Sequence, residues 1–165
     1  MYLQPGFAYG GSCLEKDLLS FRHQASDIEI PLISSISESN AKLIHNFAEK
    51  IVGKAEIFVF NGIAFKEHTD DLRRSPFVSV AENLLKAGKT VYCFDDNVAS
   101  CFGESAEILS RLLSYEKCYI NTEFPSDSND FILLKCHKNF SNLCPQVGPV
   151  EFDLFVGGDV RQVYA

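Results

Sequence analysis

An uninterrupted apolar run from Ile57 to Phe60 constrains the fold of this 165-residue chain more than any other segment. A short run of this kind is typical of a strand that is buried on both faces, as in a parallel sheet covered by helices. Further along, Ser75 provides a helix N-cap, Pro76 a first helical residue and Gly88 a stop. The segment therefore predicts a buried strand followed by a well-capped helix.

The alternation of strands and helices continues to the end of the chain. Apolar patterns predict four further strands and one more helix, at 90–94, 117–121, 130–136 and 152–156 for the strands and at about 104–114 for the helix. Gly157 and Gly158 are expected to end the last strand. Strands that are separated by helices imply a three-layer α/β fold with a parallel sheet.

The segment before residue 54 has a different pattern. Glycine and proline predict a loop over residues 2–13, because they supply turns that regular elements avoid. Apolar residues at helical spacing follow directly, which places Cys13 near a helix N-terminus. A longer amphipathic helix is expected over 33–52, ending at Gly53. Its apolar stripe exceeds what a small domain needs to cover, so we expect the helix to pair two chains.

Composition limits the possible partners. A net charge of −7 opposes binding to a nucleic-acid backbone, which requires clustered Lys and Arg. No apolar run approaches the roughly 20 residues that span a bilayer, so we expect no membrane insertion. The first residues lack the basic stretch and apolar core of a signal peptide, which predicts a cytoplasmic protein. No pair among the six cysteines has C-x-x-C spacing, so we expect no structural metal.

A first chemical cluster, GGSCLEKD, occupies residues 10–17. A helix N-terminus and Lys16, three residues after Cys13, would both stabilise a thiolate, the form of cysteine that attacks carbonyl groups. Asp17 lies one helical turn beyond Cys13 and is placed to orient a water molecule near the same centre. The alternative is a buried structural cysteine beside a glycine turn.

A second cluster, GIAFKEHTDDLRRSP, occupies residues 62–76, between the predicted strand and its capped helix. Ligands bind at this position in open parallel sheets. Only Gly62 is present where a dinucleotide fingerprint needs three glycines, so binding would depend on Lys66 and Arg73. The alternative is that both are solvated charges paired with nearby aspartates, Asp70 and Asp71.

Together the clusters resemble paired signatures of the UDP-glucose/GDP-mannose dehydrogenase family: GFAYGGSC followed by KD, and GIAFK-x-x-TDDLR-x-SP. The resemblance runs from Tyr2 to about Val98. The segment ASDIEIPL at 25–32, with the Ser-Asn pair at 39–40, is similar to the GDP-mannose branch. The Asn40 amide interrupts the apolar stripe of the long helix, and it either hydrogen-bonds across a helix pair or faces solvent.

The resemblance implies a Rossmann-like parallel sheet domain preceded by a helical dimerisation segment. Residues 1–53 would be the catalytic-cysteine loop and the end of the central dimerisation domain. Residues 54–165 would be the C-terminal nucleotide-sugar-binding domain. The N-terminal NAD-binding half would be missing, so the isolated chain is expected to be inactive. The implied activity is NAD-dependent oxidation of GDP-mannose, or UDP-glucose, to a uronic acid for polysaccharide biosynthesis, in a homodimer.

By position, Cys13 resembles the family nucleophile, which holds the sugar carbon as a thiohemiacetal and then as a thioester. Asp17 resembles the acidic residue that helps to activate water for release of the product. Lys16 and Arg73 resemble contacts to NAD. The resemblance therefore assigns the catalytic and cofactor roles to residues from both clusters.

The resemblance also implies substrate contacts. Lys66 resembles one, and three residues resemble the loop that wraps the nucleotide and sugar: Tyr2, Phe7 and Gly10. Two positions depart from the family pattern. Gln4 stands where the GDP-mannose enzymes tend to have arginine, and Glu15 stands where the family usually has proline. Glu15 is expected to leave the loop less rigid and to add negative charge that opposes ionisation of the thiol. A side chain two positions from Cys13 on a helix points elsewhere, however, so the helix end and Lys16 are expected to outweigh this charge.

Two other functions are compatible with these residues. One is a non-catalytic nucleotide-sugar-binding or dimerisation remnant of the family, which Gln4 and Glu15 favour. The other is a thiol hydrolase that pairs Cys13 with a histidine, although no spacing identifies the base. Retention of both clusters favours descent from a working dehydrogenase.

Overall fold

The computed structural model of the chain describes residues 6–125, 128, 130–139, 141, 143–145 and 148–154. Two helices come first, α1 (Ser12–Gln24) and α2 (Pro31–Val52). The strands and helices of an α/β body follow in the order β1 (Ile57–Asn61), α3 (Pro76–Lys86), β2 (Thr90–Phe94), α4 (Glu104–Leu113), β3 (Cys118–Ile120), β4 (Ile132–Lys135) and β5 (Val150–Asp153). A single 3₁₀ turn, Val98–Ser100, lies between β2 and α4.

The five strands form one parallel sheet in the order β3-β2-β1-β4-β5. This arrangement confirms the predicted α/β class and the position of every predicted strand, although β5 begins at Val150 rather than at 152. Gly157 and Gly158 lie outside the described residues. The order of the strands reverses between β1 and β4, and such a reversal leaves a crevice at the carboxyl ends of these strands.

The two faces of the sheet are covered differently. On one face, Phe58, Phe60 and Ile132 share a core with residues of α2, α3 and α4. On the other face, Val59 and Leu133 pack against side chains of the connecting segments, including Phe124, Phe131 and Cys144. The expectation of three layers with helices on both faces is therefore wrong for the described residues. The segments that cross the second face are rich in Ser, Asp, Asn and Pro, which favour turns over helices.

Helix α3 begins as the sequence predicts. The Ser75 hydroxyl accepts a hydrogen bond from the Val78 N–H at 3.4 Å and donates one to the Ile63 carbonyl at 2.6 Å. Pro76 is the first helical residue, where its missing N–H has no cost. The Ser75 side chain therefore starts the helix and also ties it to the segment that leaves β1.

Helices α1 and α2 are much less buried. Leu18 is the one buried residue of α1, and the buried residues of α2 are all near its end, Phe47, Ala48 and Ile51. Leu32, near the start of α2, is 77% exposed. Helix α2 begins at Pro31, two residues before the predicted start. No described helix has the length and apolar character needed to cross a bilayer.

Candidate functional site

The two sequence clusters are in direct contact. A Cβ atom at Gly10 would lie 2.6 Å from the Pro76 Cδ atom and 2.7 Å from the Arg74 carbonyl oxygen. Gly11 has φ +81°, and a Cβ atom there would lie 2.8 Å from the Phe65 ring. Only glycine allows this approach and this backbone conformation. The loop before α1 therefore packs tightly against the loop between β1 and α3.

A cavity of about 480 Å³ opens where these loops meet the carboxyl ends of the strands. This volume lies in the range of small-molecule sites. Its lining includes three residues that the sequence predicts as substrate contacts, Phe7, Gly10 and Lys66. Tyr2 and Gln4 lie outside the described residues. The apolar wall, the backbone of the glycine-rich loop and a nearby cation suit a ligand with an aromatic ring and anionic groups.

Phe7 anchors the wall of this cavity. Its ring is 1% exposed and lies 4.9 Å from the Phe47 ring and 6.4 Å from the Phe77 ring, between centroids. Its N–H donates a hydrogen bond to the Leu154 carbonyl at 3.4 Å. Phe7 therefore fixes the loop to the core and contributes to the cavity wall.

Lys66 lies at the exposed rim of the cavity. Among the described residues, no carboxylate lies within ion-pair distance of its ammonium group, so the predicted pairing of Lys66 with Asp70 or Asp71 is absent there. The charge of Lys66 is consequently available to an anionic ligand.

Two buried residues that the sequence analysis missed hold the segment carrying Lys66. The Asp95 carboxylate, at the end of β2, accepts hydrogen bonds from the Ile63 and Ala64 N–H groups, both at 3.0 Å. The His137 Nε2 atom lies 3.1 Å from the Ala64 carbonyl oxygen. The polar residue directly after a predicted strand, Phe94-Asp95, is the signal that could have identified Asp95.

Gly62 makes room for His137. It has φ +91°, and a Cβ atom there would lie 2.2 Å from the imidazole ring. The Asn61 side-chain amide donates hydrogen bonds to the His137 carbonyl at 2.8 Å and to the Asn139 carbonyl at 3.1 Å. These contacts join the carboxyl ends of β1 and β4 beneath the cavity. The Cys136-His137 pair directly follows β4.

Cys13 is the second residue of α1 and is exposed. This position confirms the predicted place near a helix N-terminus and contradicts the alternative of a buried structural cysteine. Lys16 and Asp17 are exposed on the same helix, with the Lys16 ammonium 3.9 Å from the Asp17 carboxylate.

A second cavity, also of about 480 Å³, lies between α1 and α4. Its lining includes Ser12 and both residues that the sequence predicts as cofactor contacts, Lys16 and Arg73. The hydrogen bond and charge of Asp71 raise the Arg73 pKa. Ser12, which precedes Cys13 in α1, lines this cavity together with Arg73.

Arg73 already has a partner within the chain. Its Nε and Nη2 atoms donate to the two Asp71 carboxylate oxygens, each at 2.9 Å. This hydrogen-bonded pair lowers the Asp71 pKa. The alternative that Arg73 is paired with a nearby aspartate is therefore confirmed, with Asp71 as the partner.

The Asn40 amide neither bonds to a second helix nor faces solvent, which were the two alternatives that the sequence left open. Its side-chain oxygen accepts the Tyr9 N–H at 3.1 Å, and its amide nitrogen donates to the Tyr9 carbonyl at 3.0 Å. The partner is the backbone of the glycine-rich loop rather than a second helix or solvent. Asn40 therefore attaches the cavity wall to α2.

Three of the other cysteines, Cys101, Cys136 and Cys144, are poor candidates for a nucleophile. Burial raises the pKa of Cys136, and it raises the pKa of Cys144 to about 12. The half-buried Cys101 also has a raised pKa, from burial and from the charge of Asp70. Among the described residues, no group of three or more His, Cys, Asp and Glu side chains is arranged to hold a metal ion.

Comparisons with protein families identify relatives of the chain. The UDP binding domain of the UDP-glucose/GDP-mannose dehydrogenase family matches residues 59–164, and its central domain matches residues 1–42. A GDP-mannose 6-dehydrogenase of Pseudomonas syringae pv. syringae is 36% identical over 134 residues, which cover 78% of this chain and 31% of the relative. The enzyme of the same name from Azotobacter vinelandii is 45% identical over 101 residues, which cover 59% of this chain and 23% of the relative.

Solved structures of nucleotide-sugar dehydrogenases have a similar fold. A ternary complex of GDP-mannose dehydrogenase from Pseudomonas aeruginosa has a TM-score of 0.71 and 28% identity, covering 96% of this chain and 38% of that one. A UDP-glucose dehydrogenase from Pyrobaculum islandicum has a TM-score of 0.61 at 23% identity, over 79% of this chain and 30% of that one, and it supports the fold alone. The chain spans about a third of the length of the curated relatives it matches.

Proposed function

The chain belongs to the UDP-glucose/GDP-mannose dehydrogenase family, and from this premise we propose that it is the C-terminal portion of an NAD-dependent nucleotide-sugar 6-dehydrogenase. The proposed substrate is GDP-mannose, which the most similar relatives act on by name, with UDP-glucose as the other member of the class. The product is the corresponding uronic acid. One observation carries the proposal: the loop that ends at Cys13 packs directly against the loop that carries Lys66, beside a cavity of nucleotide size.

The proposed division of the chain follows the contrast in burial. Residues 1–53 hold the thiol loop and the end of a dimerisation domain, and residues 54–165 form the nucleotide-sugar-binding domain. The contrast between the exposed helices and the closely packed sheet supports two parts, although the end of α2, from Phe47 to Ile51, packs into the core of the sheet body.

The cavity beneath the glycine-rich loop is the proposed place of the nucleotide sugar. Apolar side chains and the Phe7–Gly10 backbone enclose an aromatic base or a sugar, because glycine allows close approach. Lys66 at the rim neutralises a phosphate as a point charge. Asp95 and His137 hold the Lys66 segment in place by hydrogen bonds to its backbone.

NAD would lie in the second cavity, where Lys16 and Arg73 would contact its two phosphates. The oxidation would use two NAD molecules in succession, each of which would accept one hydride. Cys13, beside Arg73, adds its sulfur to the aldehyde carbon at C6 and holds that carbon as a thiohemiacetal and then as a thioester. Water then attacks the thioester carbon, the C–S bond breaks, and the acid leaves. Asp17, one turn further along α1, is the proposed acceptor for the proton of that water.

The exposed apolar side chains of α1 and α2 support a homodimer. Leu32 is 77% exposed and Phe21 is 51% exposed, whereas Phe58, Leu84 and Leu133 of the sheet body are 0% exposed. We infer that the first two-thirds of α2 lies in the interface between two copies of the chain.

Complementation tests the proposed function. The chain is mixed with the N-terminal half of a GDP-mannose 6-dehydrogenase, NAD and GDP-mannose, and NADH is followed by absorbance. We expect NADH only when both halves are present, and none with Cys13→Ser. Cys101→Ser is the matched control and should retain the rate of the unsubstituted chain. NADH production by the chain alone would contradict the proposed place of the cofactor.

A non-catalytic nucleotide-sugar-binding or dimerisation module is the second candidate. Both candidate cofactor contacts are already paired inside the chain, Lys16 with Asp17 and Arg73 with Asp71, and this pairing favours it. The same experiment separates the two functions. Calorimetric binding of GDP-mannose without any turnover in the complemented mixture would identify the module.

A further inference from the structure

Glu15 joins separate segments of the chain through its carboxylate. Its Oε2 atom accepts hydrogen bonds from the Tyr9 hydroxyl at 3.3 Å and from the Ser37 hydroxyl at 3.2 Å. Its Oε1 atom lies 3.6 Å from the Arg74 Nη1 atom. The first turn of α1 is thereby tied to the glycine-rich loop, to α2 and to the β1–α3 loop.

The Glu15 side chain lies on nearly the opposite side of α1 from the Cys13 thiol. Residues two apart on a helix do not face each other, because each turn takes 3.6 residues. Cys13 is exposed, whereas the Glu15 side chain is 22% exposed. This placement agrees with the expectation that the Glu15 side chain points away from the thiol. The expectation that Glu15 loosens the loop is wrong, because its carboxylate is held by three partners.

The segment that Glu15 holds is also the wall of the ligand cavity. Tyr9 lines that cavity, and both polar groups of its backbone are bonded to Asn40. The next residue, Gly10, fits closely against the Arg74 carbonyl, and Arg74 itself has φ 53°. A side chain that fixes Tyr9 and Arg74 together therefore fixes the close packing of the two loops.

We propose that Glu15 is a positioning residue that sets the place of the Cys13 thiol relative to the ligand cavity. It acts through Tyr9, Ser37 and Arg74 and makes no contact with the reacting atoms. Without its carboxylate, the first turn of α1 and the cavity wall lose their shared partner and move independently. This inference rests on the proposed function, because it concerns the same thiol and cavity.

The test compares the unsubstituted chain with Glu15→Gln and Glu15→Ala. Glutamine retains an oxygen that accepts hydrogen bonds from the Tyr9 and Ser37 hydroxyls, whereas alanine removes every contact. Glu116→Ala is the matched control, because Glu116 is an exposed acid between α4 and β3. The measurements are hydrogen exchange of the amides at 7–12, GDP-mannose affinity, and the ratio of iodoacetate to iodoacetamide labelling rates at Cys13.

We expect Glu15→Ala to speed exchange at 7–12 and to weaken GDP-mannose binding, each about 10-fold, since hydrogen bonds to a charged group are lost. Glu15→Gln should recover most of both effects, and Glu116→Ala should change neither. The labelling ratio should stay within about 2-fold in all three variants, because the carboxylate does not face the sulfur.

Unchanged exchange in Glu15→Ala would overturn the inference. So would a labelling ratio that rises equally in Glu15→Ala and Glu15→Gln, since that result would mean that Glu15 acts by its charge on the thiol. If Glu15→Ala is insoluble, Tyr9→Phe removes one partner alone and should speed exchange in the same segment. Failure of the unsubstituted chain to bind GDP-mannose would contradict the proposed substrate, while the exchange measurement still tests the role of Glu15.

Discussion

The sheet body and the helical hairpin of α1 and α2 differ in what holds them. Core side chains of the body, such as Phe58, Leu84 and Leu133, are 0% exposed. In the hairpin, the first two-thirds of α2 has no buried residue, and α1 has one. The body is stabilised by its own apolar core, whereas the hairpin is held to it by Phe7, the end of α2 and polar contacts of the glycine-rich loop. The proposed site takes Cys13 from the hairpin and Lys66 from the sheet body. The hairpin must therefore be held in place against the body for the site to form.

The largest expected effect is the loss of unfolding free energy when a core side chain of the sheet body is truncated. Leu84→Ala in α3 should lower the free energy of unfolding by about 3 kcal/mol, because it removes buried methyl groups and leaves a cavity. Leu19→Ala in α1, where the side chain is 48% exposed, should cost less than about 0.5 kcal/mol. Urea unfolding followed by circular dichroism measures both. Equal losses would mean that the hairpin is packed as tightly as the body.

Substitution of Asp95 is expected to give the next largest loss of unfolding free energy. Asp95→Asn removes the charge that accepts the Ile63 and Ala64 N–H groups, and it should cost about 2 kcal/mol of unfolding free energy. Amide exchange at 62–66 should quicken as well. The exposed Asp27→Asn serves as the control. A change in stability without faster exchange at 62–66 would contradict the assigned role of Asp95.

The exposed stripe of α2 predicts a dimer that a single charge can weaken. Leu32→Glu should raise the dissociation constant at least about 10-fold, because it places a charge in an apolar interface. Asn46→Glu adds the same charge at an exposed polar position of α2 and is the control. Sedimentation over a range of concentrations measures the effect. A monodisperse monomer of the unsubstituted chain at high concentration would refute the interface.

The Asp71–Arg73 pair gives the smallest expected effect. The hydrogen bond from Arg73 lowers the Asp71 pKa in the folded chain. The ionised pair therefore adds to the free energy of unfolding above the ordinary carboxyl pKa, and this contribution is lost as the pH falls through the lowered pKa. Because the Arg73 side chain is 44% exposed, water screens the pair and its contribution to the free energy of unfolding should be small. Asp71→Asn should therefore reduce stability slightly at neutral pH and make no difference well below pH 4. Thermal unfolding at several pH values measures it, and an effect that grows at low pH would contradict it.

Local patterns predicted the sheet body well. The capped start of α3 and the strand positions follow from neighbouring residues, so Ser75, Pro76 and the apolar runs were sufficient. The polar contacts of the site depend instead on residues distant in sequence. Ser37 and Arg74 reach Glu15 from 22 and 59 positions away, and Asp95 and His137 reach the Lys66 segment from other strands. No local pattern reports such contacts, which is why Glu15 was expected to weaken the loop that it holds.

Thiol mapping tests the central claim most directly, because Cys13 is proposed to be both the reactive cysteine and a neighbour of the substrate cavity. The native chain is alkylated with iodoacetamide near neutral pH, with and without GDP-mannose, and each cysteine is quantified by peptide mass spectrometry against Cys13→Ser. Cys13 should react at least about 10-fold faster than Cys144, whose pKa is raised to about 12 by burial, and GDP-mannose should slow its labelling. Labelling of Cys13 no faster than that of Cys101 or Cys144, or labelling that GDP-mannose does not change, would contradict the proposed thiol chemistry.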